Sequence, residues 1–142
     1  MKIEKSTGYL LNTCAKFTKR TLEKKLNAYH VTSSQWAVLQ LLFQENHALS
    51  QAEIAQKLNS DRATCGTILD KLITKELVTK QLDSDDRRSY KVMLTTKGTD
   101  LVPKLATFAE ETNHSALSGF SETDIENLQN YLNKIIINLK EN

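Results

Sequence analysis

Residues 49–98 read LSQAEIAQKLNSDRATCGTILDKLITKELVTKQLDSDDRRSYKVMLTTKG, and the rest of the chain is organised around them. Ser50-Gln51-Ala52-Glu53 is a capping box, in which each side chain can satisfy an orphan amide at a helix start. The short helix that follows carries Ile54, Ala55 and Leu58 on one face. Asn59-Ser60-Asp61 interrupts it, and Asp61 is a good N-cap for a second helix. That helix places Cys65, Ile68, Leu69, Leu72 and Ile73 at the i, i+3, i+4, i+7, i+8 spacing of one apolar stripe. Two short helices joined by a polar turn predict a helix-turn-helix.

At 100° per residue, Ala63, Thr67, Asp70, Lys71 and Thr74 lie opposite that stripe, with Arg62, Thr64 and Gly66 flanking its N-terminal half. Small and hydroxyl-bearing residues there suit a helix whose first half enters a major groove. An ordinary surface helix would have a polar face as well. Gly66 needs a reason, since mid-helix glycine costs ~1 kcal/mol against alanine; close approach of a backbone is one. Downstream, Val78 to Leu82 is β-permissive, and Ser89 to Leu94 alternates with Tyr90, Val92 and Leu94 on one side. Asp83-Ser84-Asp85-Asp86-Arg87-Arg88 between them predicts a hairpin turn. A hairpin directly after a helix-turn-helix is a winged helix, and an arginine at its tip suits the negative potential of a minor groove.

The run Leu58–Leu72, followed by Asp86-Arg87-Arg88-Ser89-Tyr90-Lys91-Val92-Met93-Leu94-Thr95-Thr96-Lys97-Gly98, resembles the MarR family of winged-helix transcription regulators. The wing pattern is D-x-R, a short strand, then L-T-x-x-G, and the likeness extends over nearly the whole chain. One departure is Glu76, where the family usually has glycine for a left-handed C-cap. A glutamate in that conformation costs roughly 1 kcal/mol, so this helix is expected to end differently. The resemblance implies a mainly α fold with a small β-hairpin wing, a winged helix-turn-helix plus a helical dimerisation region. It implies a single domain over 1–142, with dimerisation helices in 1–31 and 99–142 and a DNA-binding part in 32–98. Ser60, Arg62, Thr64, Gly66 and Thr67 would meet bases or sugars and Lys71 a phosphate. Arg88, beside Arg87 and oriented by Asp86, would enter the minor groove.

The ends of the chain are read from periodicity. From Thr7 to Tyr29 a helix is predicted, with Leu11, Cys14, Ala15, Thr18, Leu22, Leu26 and Tyr29 in one stripe that Leu10 and Phe17 widen. Thr32-Ser33-Ser34-Gln35 is a second capping box, and the helix it starts is apolar almost all round, which predicts a buried central strut. Thr95 caps a longer helix containing Pro103, where a kink or a later start is expected because proline removes an interior bond. His114 to Gly119 predicts a break, and Ser121-Glu122-Thr123-Asp124 starts a last helix. There Ile125, Leu128, Leu132, Ile135 and Leu139 are spaced 3, 4, 3, 4, a heptad seam. With the wide first helix it predicts a homodimer built from both chain ends.

The 142 residues carry a formal net charge of +2, too small to announce a nucleic-acid partner. The charge is uneven: +5 over residues 1–31 and −4 over residues 99–142, so the two ends could attract within a chain or across a dimer. No 18-residue apolar run and no signal-peptide core is present, which predicts a cytoplasmic protein without membrane association. No phosphate-cradling glycine loop, H-E-x-x-H, G-x-S-x-G or C-x-x-C occurs, so no enzyme activity and no cofactor is expected. His30, His114 and Cys14 lack ligand spacing, and no metal site is predicted. Cys14 and Cys65 both fall in apolar stripes and read as small core residues. A thiol sensor at Cys14 is the alternative, since some members of the resembled family sense oxidants through a first-helix thiol.

The resemblance also implies a crevice for a small, often aromatic acid between the helical part and the winged helix. Phe17, Arg20, Tyr29, His30 and Trp36 form the candidate aromatic-cationic set, unless they are unrelated core and surface residues. The expected function is a sequence-specific double-stranded-DNA-binding regulator, most often a repressor in that family, on a pseudo-palindromic site and responsive to a small molecule. The alternative class is a winged helix used for protein interaction without DNA.

Overall fold

The structure is a computed structural model that describes residues 1–82 and 89–140. Its helices are α1 (Thr7–Leu26), α2 (Ser33–Glu45), α3 (Gln51–Lys57), α4 (Arg62–Thr74), α5 (Thr96–Ala116) and α6 (Glu122–Lys140). Strands β1 (Leu49–Ser50), β2 (Val78–Leu82) and β3 (Tyr90–Leu94) form an antiparallel sheet in the order β1-β3-β2. The fold is mainly helical with a three-stranded wing. The expected hairpin is therefore one strand short: β1, only two residues long, pairs Leu49 with Val92 and Ser50 with Lys91. Two residues cannot display an alternation, so the sequence carried no signal for it.

Helix starts follow the caps. Both capping boxes form, Thr32 with Gln35 and Ser50 with Glu53. Asp61 caps α4, Thr95 accepts from the Gly98 N–H, and Ser121 exchanges bonds with Asp124. Helix α2 is the expected strut: Gln35, Val38, Leu39, Leu41 and Leu42 are buried on it. Around it Leu26, Ile54, Leu69, Leu72, Val92 and Leu105 close a continuous core. The core thus joins α1 and α5 to the helix-turn-helix, and it fixes where α4 stands.

Four readings need correction. Helix α4 does end in the left-handed region: Glu76 has φ 61, the Leu77 N–H donates to the Leu72 carbonyl and the Glu76 N–H to the Ile73 carbonyl. That is a Schellman ending without glycine. Burial of Leu72 and Leu77 and the Thr95 hydroxyl bonded to the Glu76 carbonyl at 2.7 Å hold the strained residue. Helix α5 runs continuously through Pro103, whose ring lies on the exposed side. Cys14 is exposed, because only Leu22 and Leu26 of the α1 stripe reach the core. Gly66, finally, meets a neighbour inside its own module, as described below. In α6 none of the described side chains is buried, and Tyr131, Ile136, Ile137 and Leu139 stand exposed.

Candidate nucleic-acid interface

The N-terminal half of α4 is built from its cap outward. The Asp61 carboxylate accepts from the Thr64 N–H at 2.7 Å and from the Thr64 hydroxyl at 2.8 Å. Those bonds, backbone first, hold its carboxyl below the ordinary carboxylate range. Behind the helix, Cys65, Leu69 and Leu72 are buried, and burial, assisted by the Asp61 charge, raises the Cys65 thiol. In front, Arg62, Ala63, Thr64, Thr67, Asp70, Lys71 and Thr74 are exposed. Ser60 and Gly66 are half-buried. The Thr67 hydroxyl donates to the Ala63 carbonyl at 3.2 Å, which leaves its lone pairs outward as acceptors.

Gly66 is explained by Gln51, not by an external surface. A Cβ on Gly66 would lie 2.9 Å from Gln51 Nε2, and that amide donates to the Arg62 carbonyl at 2.8 Å. The first residue of α3 thus holds the first turn of α4, the joint that sets the angle of the helix-turn-helix. Sequence reading missed Gln51 because its partner lies on another helix. A cleft of about 310 Å³ separates this joint from the wing and is lined by Ser50, Gln51, Arg62, Lys80, Ser89 and Tyr90 among others. Lys80 sits 5.4 Å from the Tyr90 ring centroid, a cation on the β2–β3 face beside Arg62. Asp86, Arg87 and Arg88 lie outside the described residues.

The five candidate effector residues do not share a cavity among those described. Phe17 and Arg20 stack on each other at 5.4 Å on the exposed side of α1. Tyr29 packs against Phe108, with centroids 5.6 Å apart, and under Lys104. His30 turns the chain at φ 55, and Trp36 packs on the core. A larger cavity, about 770 Å³, opens between the end of α2, β3 and the start of α5. Leu42, Phe43, Met93 and Leu94 give it apolar walls, and Gln40, Asn46, His47 and Thr99 are polar. Gln40 Oε1 and, one turn earlier, Trp36 Nε1 are buried without a hydrogen-bond partner among the described residues. A buried polar atom without a partner is costly unless a small molecule or water bonds it, and Gln40 lines this cavity.

Among the described residues no group of histidine, cysteine and carboxylate side chains could hold a metal ion. No described helix is long and apolar enough to cross a membrane. A family model described as MarR family matches residues 31–90. The HTH-type transcriptional regulator PrsX of Escherichia coli is 32% identical over 133 residues, covering 90% of this chain and 79% of that protein. The S. aureus MepR–DNA complex superposes with a TM-score of 0.86 at 27% identity, over 94% of this chain and 98% of MepR. BpsR of Bordetella bronchiseptica, whose DNA binding is regulated by 6-hydroxynicotinic acid, gives 0.87 at 23% identity, over 95% of this chain and 96% of that one. The exposed face of α4, the wing and these likenesses set aside a winged helix without DNA: the chain belongs to the MarR family of DNA-binding winged helix-turn-helix transcriptional regulators.

Proposed function

We propose that the protein is a homodimeric repressor that reads a pseudo-palindromic duplex through two copies of α4 and is released by a small molecule. The observation that carries the DNA reading is the division of α4: a buried stripe behind, and Arg62, Ala63, Thr64, Thr67 and Lys71 all exposed in front. Arg62 offers donors to guanine, whereas the Thr64 and Thr67 hydroxyls, their protons engaged on the protein, accept from cytosine or adenine amino groups. Ser60 and Gly66 sit at the rim of the same face, and Lys71 meets a phosphate. Arg88 of the D-x-R wing, beside Arg87 and aimed by Asp86, takes the minor groove. The dimer is supported by α6, where Ile125, Leu128, Leu132 and Ile135 of the seam are only half-buried and Tyr131, Ile136, Ile137 and Leu139 stay exposed, with 1–31 and 99–142 as the dimerisation segments and 32–98 as the DNA-binding part.

For the effector, the cavity beside α2 is the better supported place. It adjoins both α5 and the wing strand β3, so a ligand there touches the parts that must move relative to each other. An aromatic molecule with one acidic group and one hydrogen-bond donor fits its walls and the unpaired Gln40 acceptor. Phe17, Arg20, Tyr29, His30 and Trp36 give a second, divided set.

Footprinting on duplexes selected from a random pool tests the DNA reading. Arg88→Ala is expected to weaken binding most where an A·T-rich minor groove faces the wing. Lys71→Ala should weaken all duplexes alike and shrink the salt slope by about one. Thr67→Ala should erode discrimination at one or two positions, each worth ~1–3 kcal/mol. Wild-type footprints from both Arg88→Ala and Lys71→Ala would remove α4 and the wing as the contact surface.

A further inference from the structure

The C-terminal end of α4, away from its DNA-facing half, is tied down by contacts that base reading does not use. Lys75, its C-cap, sends its ammonium to two acceptors distant in sequence, the His30 carbonyl and Gln35 Oε1, the latter at 2.9 Å. His30 is the left-handed residue that turns the chain from α1 towards α2. Gln35 is only 4% exposed, and the same Oε1 accepts from the Thr32 N–H at 3.2 Å, so the capping box of α2 holds the acceptor in place. Charge-assisted bonds to two fixed oxygens are stronger than neutral ones. The Lys75 carbonyl in turn accepts from Lys97 Nζ of α5 at 3.2 Å. One residue therefore joins the recognition helix to the α1–α2 turn and to the start of α5.

We propose that Lys75 is a positioning residue for operator binding, latching α4 at the angle that sets the separation of the two recognition helices. This rests on the dimeric reading above. With 13 residues α4 is about 20 Å long at 1.5 Å per residue. A swing of about 10° about its C-terminal end moves its N-terminal end by roughly 3.4 Å, one base-pair step. Losing the latch therefore blurs half-site spacing by about one base pair, while each α4 keeps its own base contacts. The charge of Lys75 is spent inside the protein and is not a phosphate contact.

The test uses full-length wild type, Lys75→Met and Lys75→Arg, with a duplex selected by wild type from a random pool. Its two half-sites are moved apart or together by one base pair, and a single half-site serves as control. Wild type is expected to prefer its selected spacing by about tenfold or more. Lys75→Met should lose most of that preference with half-site affinity and salt slope unchanged, and Lys75→Arg should restore it. A Lys75→Met protein that keeps the spacing preference overturns the proposal. So does one that weakens half-site and full site alike with a salt slope reduced by about one, which marks a phosphate contact. Amide hydrogen exchange without DNA decides the latch independently of the dimer. Lys75→Met should speed exchange together at residues 27–35 and 72–77, and unchanged exchange at 27–35 overturns the latch. A flat wild-type spacing profile counts against the dimeric reading instead.

Discussion

Gly98 closes the L-T-x-x-G part of the wing pattern, and the structure gives it a role that can be measured. A Cβ built there would lie 2.1 Å from the Leu77 carbonyl oxygen, where real Cβ contacts essentially never fall under 3.0 Å. The obstacle is backbone, so α5 and the Glu76–Leu77 turn must separate by about 1 Å, the kind of overpacking that costs about 1–3 kcal/mol. Separation also strains the Thr95 N–H bond to the Leu77 carbonyl at 3.1 Å and the Thr95 hydroxyl bond to the Glu76 carbonyl at 2.7 Å. Each is worth about 0.5–1.5 kcal/mol net, against a helix-propensity gain of about 1 kcal/mol for alanine. The expected net loss for Gly98→Ala is about 2–4 kcal/mol, or about 6–12 °C in melting midpoint for a chain of this size. Gly66→Ala is the internal control: its Cβ would meet only the flexible end of Gln51, so the lost Gln51–Arg62 bond and the helix gain nearly cancel, leaving it within about 1 kcal/mol of wild type. Urea and thermal unfolding at one fixed protein concentration check both. A Gly98→Ala protein as stable as Gly66→Ala would refute the close-approach argument.

Charged replacements at Leu132 and Ile135 should yield monomers or unfolded protein by sedimentation, because an unpaired charge buried in an interface is expensive; a folded wild-type monomer at micromolar concentration would contradict the dimer. Cys65, 2% exposed and with its thiol raised by burial, should resist alkylation until the protein unfolds, as pulse labelling and mass spectrometry would register. Cys14→Ser should leave DNA affinity and any peroxide response unchanged, whereas loss of a peroxide-triggered release would promote the thiol-sensor reading. Asp61 and Glu53 are both held below the ordinary carboxylate range, by bonds from Thr64 and from Ser50 respectively. Their contribution is therefore complete above the unfolded carboxylate pKa of about 4 and is lost as pH falls through the lowered folded values. Asp61→Asn, which keeps one capping oxygen but loses the charge and the acceptor for the Thr64 hydroxyl, should flatten the acid side of the stability curve by lowering stability near neutrality towards its acid-side value.

Most of this fold was legible because its instructions are local. An N-cap and its partner three residues on lie in one turn, so Thr32, Ser50, Asp61, Thr95 and Ser121 announce their helices without knowledge of the tertiary structure. The two long strands of the wing were equally local: Val78 to Leu82 pairs as read, and the run read from Ser89 to Leu94 forms its partner over Tyr90–Leu94. What escaped reading depends on contacts between segments. Gly66 was read as a close approach of a backbone, whereas its neighbour is the Gln51 side chain, which only the placement of another helix identifies. Glu76 was expected to avoid the left-handed region on its intrinsic cost. The core around Leu72 and Leu77, with Thr95 reaching back, outweighs a penalty of roughly 1 kcal/mol. The aromatic-cationic set is divided for the complementary reason: Phe17 and Tyr29 share a helical stretch by sequence, yet Phe17 faces outward and Tyr29 packs on Phe108.

The same distinction explains why the two chain ends looked over-supplied with apolar residues. In the helix-turn-helix the apolar positions pack within the chain: Ile54, Leu69 and Leu72 are closed off, and Leu58, Ile68 and Ile73 lie half-buried against the same core. In α1 and α6 the surplus is left over: Leu10, Phe17, Tyr131, Ile136, Ile137 and Leu139 stay exposed, and Cys14 sits on the same outward side of α1 as Leu10 and Phe17. Covering a half-exposed side chain of this size is worth about 1 kcal/mol, and a two-fold partner doubles the number covered. The acidic excess after residue 99 and the basic excess before residue 32 favour bringing opposite ends together, and Lys25 with Glu111 at 2.9 Å already makes that pairing within one chain. Apolar excess and opposite charge on the same two segments support the proposed homodimer, in which α1 and α6 of two copies would cover each other and leave both α4 faces free for the duplex.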